Sequence, residues 1–247
     1  MSGNAPVFQR ILLKLSGEAL KGDDAAALEA GALTAISARI AAVSQRGVEI
    51  AIVVGGGNFF RGLRSADSGI SRITGDYIGM LATVMNSLAL RDALQASGLA
   101  ARLMTSIELP GISEIFDSRR ADRILRRGEV LVFGAGTGHP FFTTDTTAAL
   151  RACEIGADAV LKATKVNGVY SQDPTRNRGA VRYRQLSFSD ALQLRLQVMD
   201  STAFSLCRDN DIPIIVFDFQ QPDSLARVID GDTDCATMVG NLETAAE

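Results

Sequence analysis

The chain has 247 residues, of which 47% are apolar and 21% charged, and its formal net charge is −3. This composition is ordinary for a soluble globular protein, and the small charge provides no overall attraction to nucleic acid. The longest apolar runs are far shorter than the roughly 20 residues that span a membrane, and the N-terminus lacks the pattern of a signal peptide. The 3 cysteines have no metal-like spacing, which predicts reduced thiols in a cytoplasmic protein without membrane association.

Strand-like apolar runs alternate with helix-like stretches along the whole chain. The predicted strands are residues 10–15, 48–54, 100–104, 129–133, 158–164, 213–218 and 235–239, and the predicted helices are 28–46, 72–97, 118–127, 144–156, 187–193, 201–210 and 223–230. With nearly continuous Val, Ile and Leu in the strands, this alternation predicts a mainly parallel sheet covered by helices on both faces. Residues 165–185 form the longest irregular region. We expect one compact unit with two lobes that meet near residue 157.

Several predicted strands end in glycine turns. Ser16-Gly17-Glu18 follows the first strand, Gly55-Gly56-Gly57-Asn58 the second, and Gly134 to Gly138 the strand at 129–133. Glycine lets the backbone turn sharply and approach a ligand closely, and ligands of open α/β sheets bind outside the carboxyl ends of the strands. With Lys14 and Arg61 beside these turns, the pattern predicts one site for a phosphate-bearing ligand.

The most informative segment is Gly136 to Asp145, with the sequence GTGHPFFTTD. Hydroxyl and carboxylate side chains at its end precede a predicted helix, whose free N–H groups also suit a phosphate. The adjacent Phe141 and Phe142 are costly to leave in water, so we expect them under a planar ligand or against the core. The lone histidine, His139, has no His or Cys partner and is predicted as a polar loop residue without a metal.

Lys14 and Lys162 each lie inside an apolar predicted strand. Desolvating an ammonium group is costly, so either lysine alone is explained by a head group that reaches solvent. Two such lysines beside turns instead predict fixed positive charges that flank a transferring phosphoryl group. Asp145 either holds the lysines or caps the following helix. Asp76 and Asp173 are predicted in loops, where they accept from a ribose hydroxyl or form turns.

The predicted helix at 72–97 is apolar over more than one stripe, whereas a surface helix needs one apolar face. The apolar residues are Tyr77, Ile78, Met80, Leu81, Val84, Met85, Leu88, Leu90 and Leu94. Either the helix is central in the monomer or it buries a second face in an oligomer, and we favour the oligomer.

Two common phosphate-binding motifs are absent from the sequence. Gly57 and Gly62 have the glycine spacing of a P-loop, but Leu63 stands where the P-loop requires lysine. The glycine run at Gly55 to Gly57 resembles the start of a dinucleotide-binding motif, but Phe60 stands where its last glycine is required.

Taken together, these segments resemble the bacterial uridylate (UMP) kinases of the amino-acid-kinase superfamily, from Arg10 to about Gly240. The most specific stretches are Lys14 to Leu20, Gly55 to Asn58, Gly79 to Asn86, the GTGHPFFTTD loop and Leu161 to Val166. The resemblance implies a three-layer α/β/α sandwich with a mainly parallel sheet, assembled as a homohexamer. It also implies ATP-dependent phosphorylation of UMP to UDP, with UTP as an inhibitor.

Carried over by position, the resemblance implies an acceptor-binding lobe at about 1–157 and an ATP-binding lobe at about 158–247. It implies ATP at Lys14, Leu15, Ser16, Gly17, Gly57, Arg61, Thr164, Tyr170 and Asp173. It implies UMP at Gly56, Asp76, Thr137, Gly138, His139, Pro140, Phe141, Phe142, Thr143 and Thr144. Lys14 and Lys162 would stabilise the transferring phosphoryl group, with Asp145 ordering them, and Mg²⁺ would arrive with ATP.

Two departures from the family pattern stand out. His139 occupies a loop position where asparagine is expected, and residues 22–28 contain alanines where GTP-activated members have glycines and an aromatic residue. Three rival functions remain open at this point. They are a relative that phosphorylates a carboxylate such as acetylglutamate or aspartate, a nucleotide-sensing regulator without catalysis, and a dinucleotide-dependent oxidoreductase.

Overall fold

The computed structural model describes residues 5–21, 26–60, 69–196 and 198–246. Within these ranges one 11-stranded sheet runs through the molecule in the order β11-β8-β10-β9-β6-β1-β2-β5-β3-β4, and β7 pairs with β8. The strands are β1 Arg10–Leu15, β2 Glu49–Val54, β3 Ala101–Thr105, β4 Glu114–Ile115, β5 Val130–Gly134, β6 Ala159–Thr164, β7 Val169–Tyr170, β8 Arg182–Ser187, β9 Ile214–Asp218, β10 Ala236–Gly240 and β11 Ala245–Ala246.

The helices connect these strands. They are α1 Ala30–Ser44, α2 Arg72–Ala96, α3 Ser118–Leu125, α4 Thr144–Ile155, α5 Phe188–Gln193, α6 Ser201–Asp209 and α7 Ser224–Ile229, with short 3-10 turns at Gly17–Leu20 and Thr233–Cys235. Local sequence sets the helix ends. The Ser71 side chain accepts from the Thr74 N–H at the start of α2, and Gly156 ends α4 with a φ of 62° that favours glycine.

Alternation along the central strands divides the core into two layers. In β1, Ile11 and Leu13 pack on the side of α1, α2 and α7, whereas Leu12 packs on the side of α3, α4, α5 and α6. Most neighbouring strands are parallel; β9 and β10, β8 and β11, and β7 and β8 are antiparallel. The predicted three-layer α/β/α sandwich with a mainly parallel sheet is therefore confirmed.

β1 lies at the middle of the sheet, between β2 and β6. The strands before residue 157 extend from one side of β1, and those after it extend from the other. The division into an acceptor-binding lobe and an ATP-binding lobe near this residue stays a prediction. Because β1, β2, β5, β6 and β9 run parallel, their carboxyl ends share one edge of the sheet, where ligand sites of this architecture form.

The predicted strands are present with ends shifted by at most one residue, and the predicted helices by at most two. The irregular region predicted at 165–185 is partly wrong, because β7 and most of β8 lie within it. The sequence of β8 shows no apolar pattern, because it contains Arg182, Arg184 and Gln185. Only Arg182 and Leu186 of this strand are buried. β4 and β11 were also not predicted, because a strand of two residues is too short to show alternating apolar and polar side chains.

None of the helices in the described part of the chain combines the length and apolarity that a membrane-spanning helix requires.

Candidate active site

Lys14, Lys162 and Asp145 meet at the carboxyl edge of the central strands. The Nζ of Lys14 lies 2.7 Å from Oδ1 of Asp145, and the Nζ of Lys162 lies 2.8 Å from Oδ2 of the same carboxylate. The three side chains are 13%, 17% and 15% exposed, respectively, so water screens these charges only partly. One carboxylate thus holds two ammonium groups at a fixed place, and the cluster carries a net positive charge.

The close packing of these charges shifts the pKa values of Asp145 and Lys162. Burial alone raises the pKa of the Asp145 carboxyl, but the adjacent ammonium groups of Lys14 and Lys162 outweigh burial and hold that pKa below its usual range. For Lys162, burial lowers the pKa of the ammonium group, and Asp145 offsets only part of this effect. The carboxylate is therefore ionised at neutral pH, and its role is electrostatic.

Asp145 does not cap its helix, which removes one explanation of its presence. The cap of α4 is Thr143, whose hydroxyl accepts from the N–H groups of Asp145 and Thr146. Asp145 is thereby placed in the first turn of α4, with its carboxylate directed to the lysines. We infer that its position serves the lysine pair.

Asp200 supports this arrangement, although the sequence analysis did not identify it. Asp200 caps α6 by accepting from the Ala203 N–H, and its carboxylate also accepts from the hydroxyls of Thr143 and Thr146. The nearby Val198 carbonyl accepts from the Nζ of Lys162. The available signal was an Asp-Ser-Thr-Ala start of a predicted helix, which indicates a cap but not its contact with α4.

A cavity of about 590 Å³ opens on the β2 and β5 side of the lysine cluster. Its wall combines the turn after β2, the start of α2 and the loop after β5. The lining residues predicted for the acceptor or donor are Gly56, Gly57, Asp76, Thr137, His139, Phe142, Thr143 and Thr144. Phe60, Arg72 and Met80 also line it and were not predicted. We call it the acceptor cavity.

Asp76 joins two walls of the acceptor cavity. It lies within α2, not in a loop as expected, and its Oδ2 accepts from the Phe141 N–H at 2.8 Å. The Nε of Arg72, one helical turn earlier, lies 2.9 Å from the same carboxylate, and the Arg72 guanidinium lies 5.6 Å from the Phe141 ring centroid. Asp76 thus ties the loop to the helix and keeps a carboxylate at the cavity wall.

The phenylalanine pair does not pack against the core. Phe141 is 64% exposed and Phe142 is 49% exposed. Phe141 has a φ of 72°, a conformation that a bulky residue adopts only when its surroundings require it. Of the two expected explanations, burial in the core is wrong. The rings remain available to a planar ligand.

Two glycines of the site are required by close backbone approach. A Cβ on Gly17 would lie 2.4 Å from the Gly55 carbonyl oxygen, so the turns after β1 and β2 touch only because Gly17 has no side chain. A Cβ on Gly56 would lie 2.8 Å from the Gly79 carbonyl oxygen, which brings α2 against the β2 turn. These contacts place the predicted phosphate-binding turns together.

Two further cavities lie on the β6 and β9 side of the lysines. One, of about 630 Å³, is lined in part by Ser16, Thr164 and Lys165, and the other, of about 450 Å³, in part by Lys165, Tyr170 and Asp218. Because Lys165 lines both, the two cavities adjoin, and we call them together the donor cavities. The sheet order places the lysine cluster between the acceptor cavity and the donor cavities.

Some residues predicted for the donor or for the acceptor do not line these cavities. Leu15 is fully buried in the core, and Pro140 contributes to the loop but not to the acceptor cavity wall. Asp173 accepts from the N–H and hydroxyl of Thr175 and so forms a turn, whereas its neighbours Pro174 and Thr175 line a donor cavity. Arg61 lies outside the described residues.

The residues of this site lie within a segment that matches a known protein family. The Amino acid kinase family matches residues 9–218, which is most of the chain. The chain belongs to the amino acid kinase family. In such a kinase, a cation cluster between two cavities is suited to phosphoryl transfer, because that reaction needs positioning and charge neutralisation more than covalent help.

Solved structures similar to this amino acid kinase agree with that assignment. A UMP kinase from Bacillus anthracis is 37% identical, with a TM-score of 0.94 over 97% of this chain and 99% of that one. A UMP kinase from Ureaplasma parvum is 33% identical, with a TM-score of 0.89 over 94% and 98%. A uridylate kinase from Archaeoglobus fulgidus is 28% identical, with a TM-score of 0.72 over 93% and 99%.

Proposed function

We propose that this amino acid kinase phosphorylates UMP to UDP with ATP, by direct phosphoryl transfer. The observation that carries the proposal is the Lys14–Asp145–Lys162 cluster between the acceptor cavity and the donor cavities. A phosphate oxygen of UMP attacks the γ-phosphorus of ATP, the bond from that phosphorus to the β–γ bridging oxygen breaks, and ADP leaves. This reaction supplies UDP to pyrimidine nucleotide synthesis.

Each member of the cluster has a distinct part in this reaction. The ammonium groups of Lys14 and Lys162 neutralise charge on the phosphoryl oxygens as it develops, and their fixed position avoids reorganisation during transfer. Asp145 contacts both ammonium groups and directs them toward the transfer point. Its own carboxylate does not accept the substrate proton, because its pKa is held below the usual range.

The acceptor cavity suits a nucleoside monophosphate. We assign UMP to Gly56, Asp76 and the loop from Thr137 to Thr144, with the base against the exposed phenylalanine pair and a ribose hydroxyl donating to Asp76. The phosphate then lies toward the free N–H groups at the start of α4 and the lysine pair. A small amino-acid substrate would leave much of the 590 Å³ and the ring of Phe142 uncovered.

The donor cavities suit ATP. We assign its phosphates to the turn from Lys14 to Gly17 and to Gly57, and its nucleoside to the surface of Thr164, Tyr170 and the 173–175 turn. Arg61 belongs to the same proposal through the family resemblance. We also propose the division into an acceptor-binding lobe at about 1–157 and an ATP-binding lobe at about 158–247.

The substrate is MgATP, and the ion's ligands come mainly from the nucleotide. Among the described residues, no group of three or more His, Cys, Asp and Glu side chains is arranged to hold a metal. Both oxygens of Asp145 contact lysines, which leaves this carboxylate poorly suited to bind a cation. Triphosphate oxygens and water fit the preference of Mg²⁺ for oxygen ligands with few protein contacts.

The protein is proposed to work as a cytoplasmic homohexamer. Ile73, Tyr77, Leu81 and Met85 recur every four residues on α2 and are 45–50% exposed. Such a stripe on one helix face is suited to a second copy of the chain. UTP is proposed to inhibit, because its uridine moiety fits the acceptor cavity while its additional phosphates extend toward the donor cavities.

The deciding experiment is ADP release with ATP and one acceptor at a time. UMP, CMP, AMP, GMP, acetylglutamate and aspartate would be compared at equal concentrations with the purified protein. UMP is expected to give the highest kcat/KM by a wide margin. A higher value for acetylglutamate or aspartate would identify a carboxylate kinase, and no turnover with any acceptor would favour a nucleotide-sensing protein. Binding of NADH in a parallel titration would favour the oxidoreductase alternative.

A further inference from the structure

Arg151, on α4, is a buried charge that the proposed reaction does not use. It is 5% exposed and lies about two helical turns beyond Asp145 on the same helix. Its guanidinium carbon lies 3.7 Å from the centroid of the Phe116 ring and 5.8 Å from that of Phe133. Glu154 provides its counter-ion. A charge this buried is costly, so its contacts call for an explanation.

The remaining contact leads to the loop after β5, from Gly136 to Thr143, which we call the acceptor loop. The Nη2 of Arg151 donates to the Ser106 hydroxyl at 2.8 Å, and the Ser106 hydroxyl donates to the Gly136 carbonyl at 2.5 Å. Ser106 follows β3, so this chain of hydrogen bonds joins α4, the end of β3 and the turn after β5. A guanidinium group only donates, and a carbonyl oxygen only accepts. The Ser106 hydroxyl therefore accepts from Arg151 and donates its own proton to the Gly136 carbonyl.

The turn that receives this contact has an unusual backbone. Ala135, Gly136 and Gly138 have φ values of 65°, 56° and 81°, and the Gly138 N–H donates to the Ala135 carbonyl. A positive φ at the non-glycine Ala135 persists only where the surroundings hold it. The Thr83 hydroxyl accepts from the Ala135 N–H on one side, and Ser106 holds the Gly136 carbonyl on the other.

The direction of the Gly136 carbonyl matters to the acceptor cavity. In a trans peptide the C=O and the following N–H point in opposite directions, so holding this carbonyl on Ser106 turns the Thr137 N–H away from Ser106. Gly136, Thr137 and His139 line the acceptor cavity. The Arg151–Ser106 pair therefore sets which backbone groups of the loop are presented to a ligand.

We propose that Arg151 is a positioning residue that, through Ser106 and the Gly136 carbonyl, sets the affinity of the acceptor loop for the base of the nucleoside monophosphate. The inference rests on the proposed function, since it names UMP as the ligand of this loop. Arg151 contacts no reacting atom, and its effect belongs to acceptor binding and not to the transfer step.

The test compares Ser106→Ala, Arg151→Met and the double variant in steady-state assays with UMP and ATP varied separately. Ser106→Ala is expected to raise the KM for UMP by about three- to tenfold, as loss of one hydrogen bond in a partly buried chain does, with kcat and the KM for ATP within about twofold of wild type. Arg151→Met is expected to raise the KM for UMP similarly. The double variant should match Arg151→Met, because the two residues act in series.

Arg46→Met is the matched control. Arg46 pairs with Asp230 and follows α1, near the amino end of β2 and thus at the opposite edge of the sheet from the loop. Its KM for UMP is expected to equal that of wild type, even if its Tm falls. Should Arg151→Met fold poorly, Ser106→Ala still decides the question, since it removes a single oxygen.

The outcomes separate the two proposals. UMP turnover by wild type with an unchanged KM in Ser106→Ala would overturn the role of Arg151 and leave the UMP kinase function intact. Multiplicative effects in the double variant would also overturn it, because independent contributions would then be acting. Absence of UMP turnover by wild type would overturn both proposals.

Discussion

Lys14 and Lys162 are register partners in neighbouring parallel strands, β1 and β6. Partners at equal height in adjacent strands direct their side chains to the same face of a sheet, so the two ammonium groups necessarily lie close together. Like charges in this position repel, and Asp145 is the group that offsets the repulsion. The strand pairing itself thus creates a concentrated positive charge at the edge where the acceptor cavity and the donor cavities open.

Removing either ammonium group should therefore impair transfer more than binding. Lys14→Ala and Lys162→Ala are each expected to lower kcat by on the order of 10²–10³, as loss of one preorganised electrostatic donor does. The measurement is kcat at saturating UMP and ATP, with Tm and circular dichroism to verify folding. Near-normal kcat in both folded variants would contradict the proposed two-lysine mechanism.

The charge of Asp145 should contribute to stability in a pH-dependent manner. Because its folded-state pKa is lowered, its contribution is fully present above the ordinary value of 3.8 and is lost as the pH falls through the folded value. Asp145→Asn removes the carboxylate that both ammonium groups contact and is expected to cost about 3 kcal/mol at pH 7.

Urea unfolding of wild type and Asp145→Asn between pH 7 and pH 3 tests this expectation. The difference in unfolding free energy should stay constant above the ordinary value of 3.8 and shrink as the pH falls below it, because the unfolded chain then takes up a proton that the folded carboxylate does not. A difference that stays the same to pH 3, or that grows on acidification, would show that the carboxylate charge is not what stabilises the cluster.

UMP should be strongly preferred over CMP. If backbone groups of the loop from Thr137 to Phe142 bond one edge of uracil, cytosine presents a donor where an acceptor is required and leaves those groups unpaired. We expect kcat/KM for CMP to be lower by at least about 100-fold. The two specificity constants can be measured by the same coupled ADP assay, and comparable values would disprove this assignment of the base to the loop.

The exposed stripe on α2 should be needed for assembly. Leu81→Glu places a charge within it and is expected to give a smaller particle than wild type, for which we propose a hexamer, because an unpaired charge in an apolar interface is costly. Leu192→Glu on α5 is the control, since Leu192 is 43% exposed and Leu81 47%. Light scattering at micromolar protein reports both masses. A monomeric wild type would rule out the assembly, and an unchanged mass in Leu81→Glu would place the interface elsewhere.

GTP should activate weakly or not at all. Residues 22–28 provide three alanines and two aspartates, so the segment has neither an aromatic face for guanine nor cations for a triphosphate, although residues 22–25 lie outside the described part of the chain. The initial rate at subsaturating ATP would be compared with and without millimolar GTP. Activation of several-fold would show that this segment does not decide the response.

The strands and helices were predictable because their patterns are local. The apolar runs of β1, β2, β5, β6 and β9 and the helix caps identify elements without any tertiary information. β8 was not predictable, because its arginines and glutamine leave it without an apolar face. It is held in the sheet by pairing with β10, β7 and β11. Its stability depends on neighbours that are distant in the sequence.

The candidate site divides in the same way. Lys14, Lys162 and Asp145 were recognisable as charges in unusual places, but their mutual contacts depend on strand register and helix placement. Arg72, Arg151 and Asp200 were overlooked because each occupies an ordinary helical or capping position in the sequence. Only tertiary contacts show that Asp200 bonds Thr143 and Thr146 and that Arg151 reaches the acceptor loop.

The pairing of β1 with β6 also has a consequence for biosynthesis. Ile11 pairs with Ala159, so more than half of the chain must be synthesised before this edge of β1 is covered. Until then, β1 can pair with β2 on one side only, and its other side is an open apolar edge that could template incorrect pairing. Arrival of β6 closes that edge and brings Lys162 to Lys14 in the same step. A nascent chain therefore becomes protected against aggregation at the same moment that the two lysines proposed for phosphoryl transfer come together.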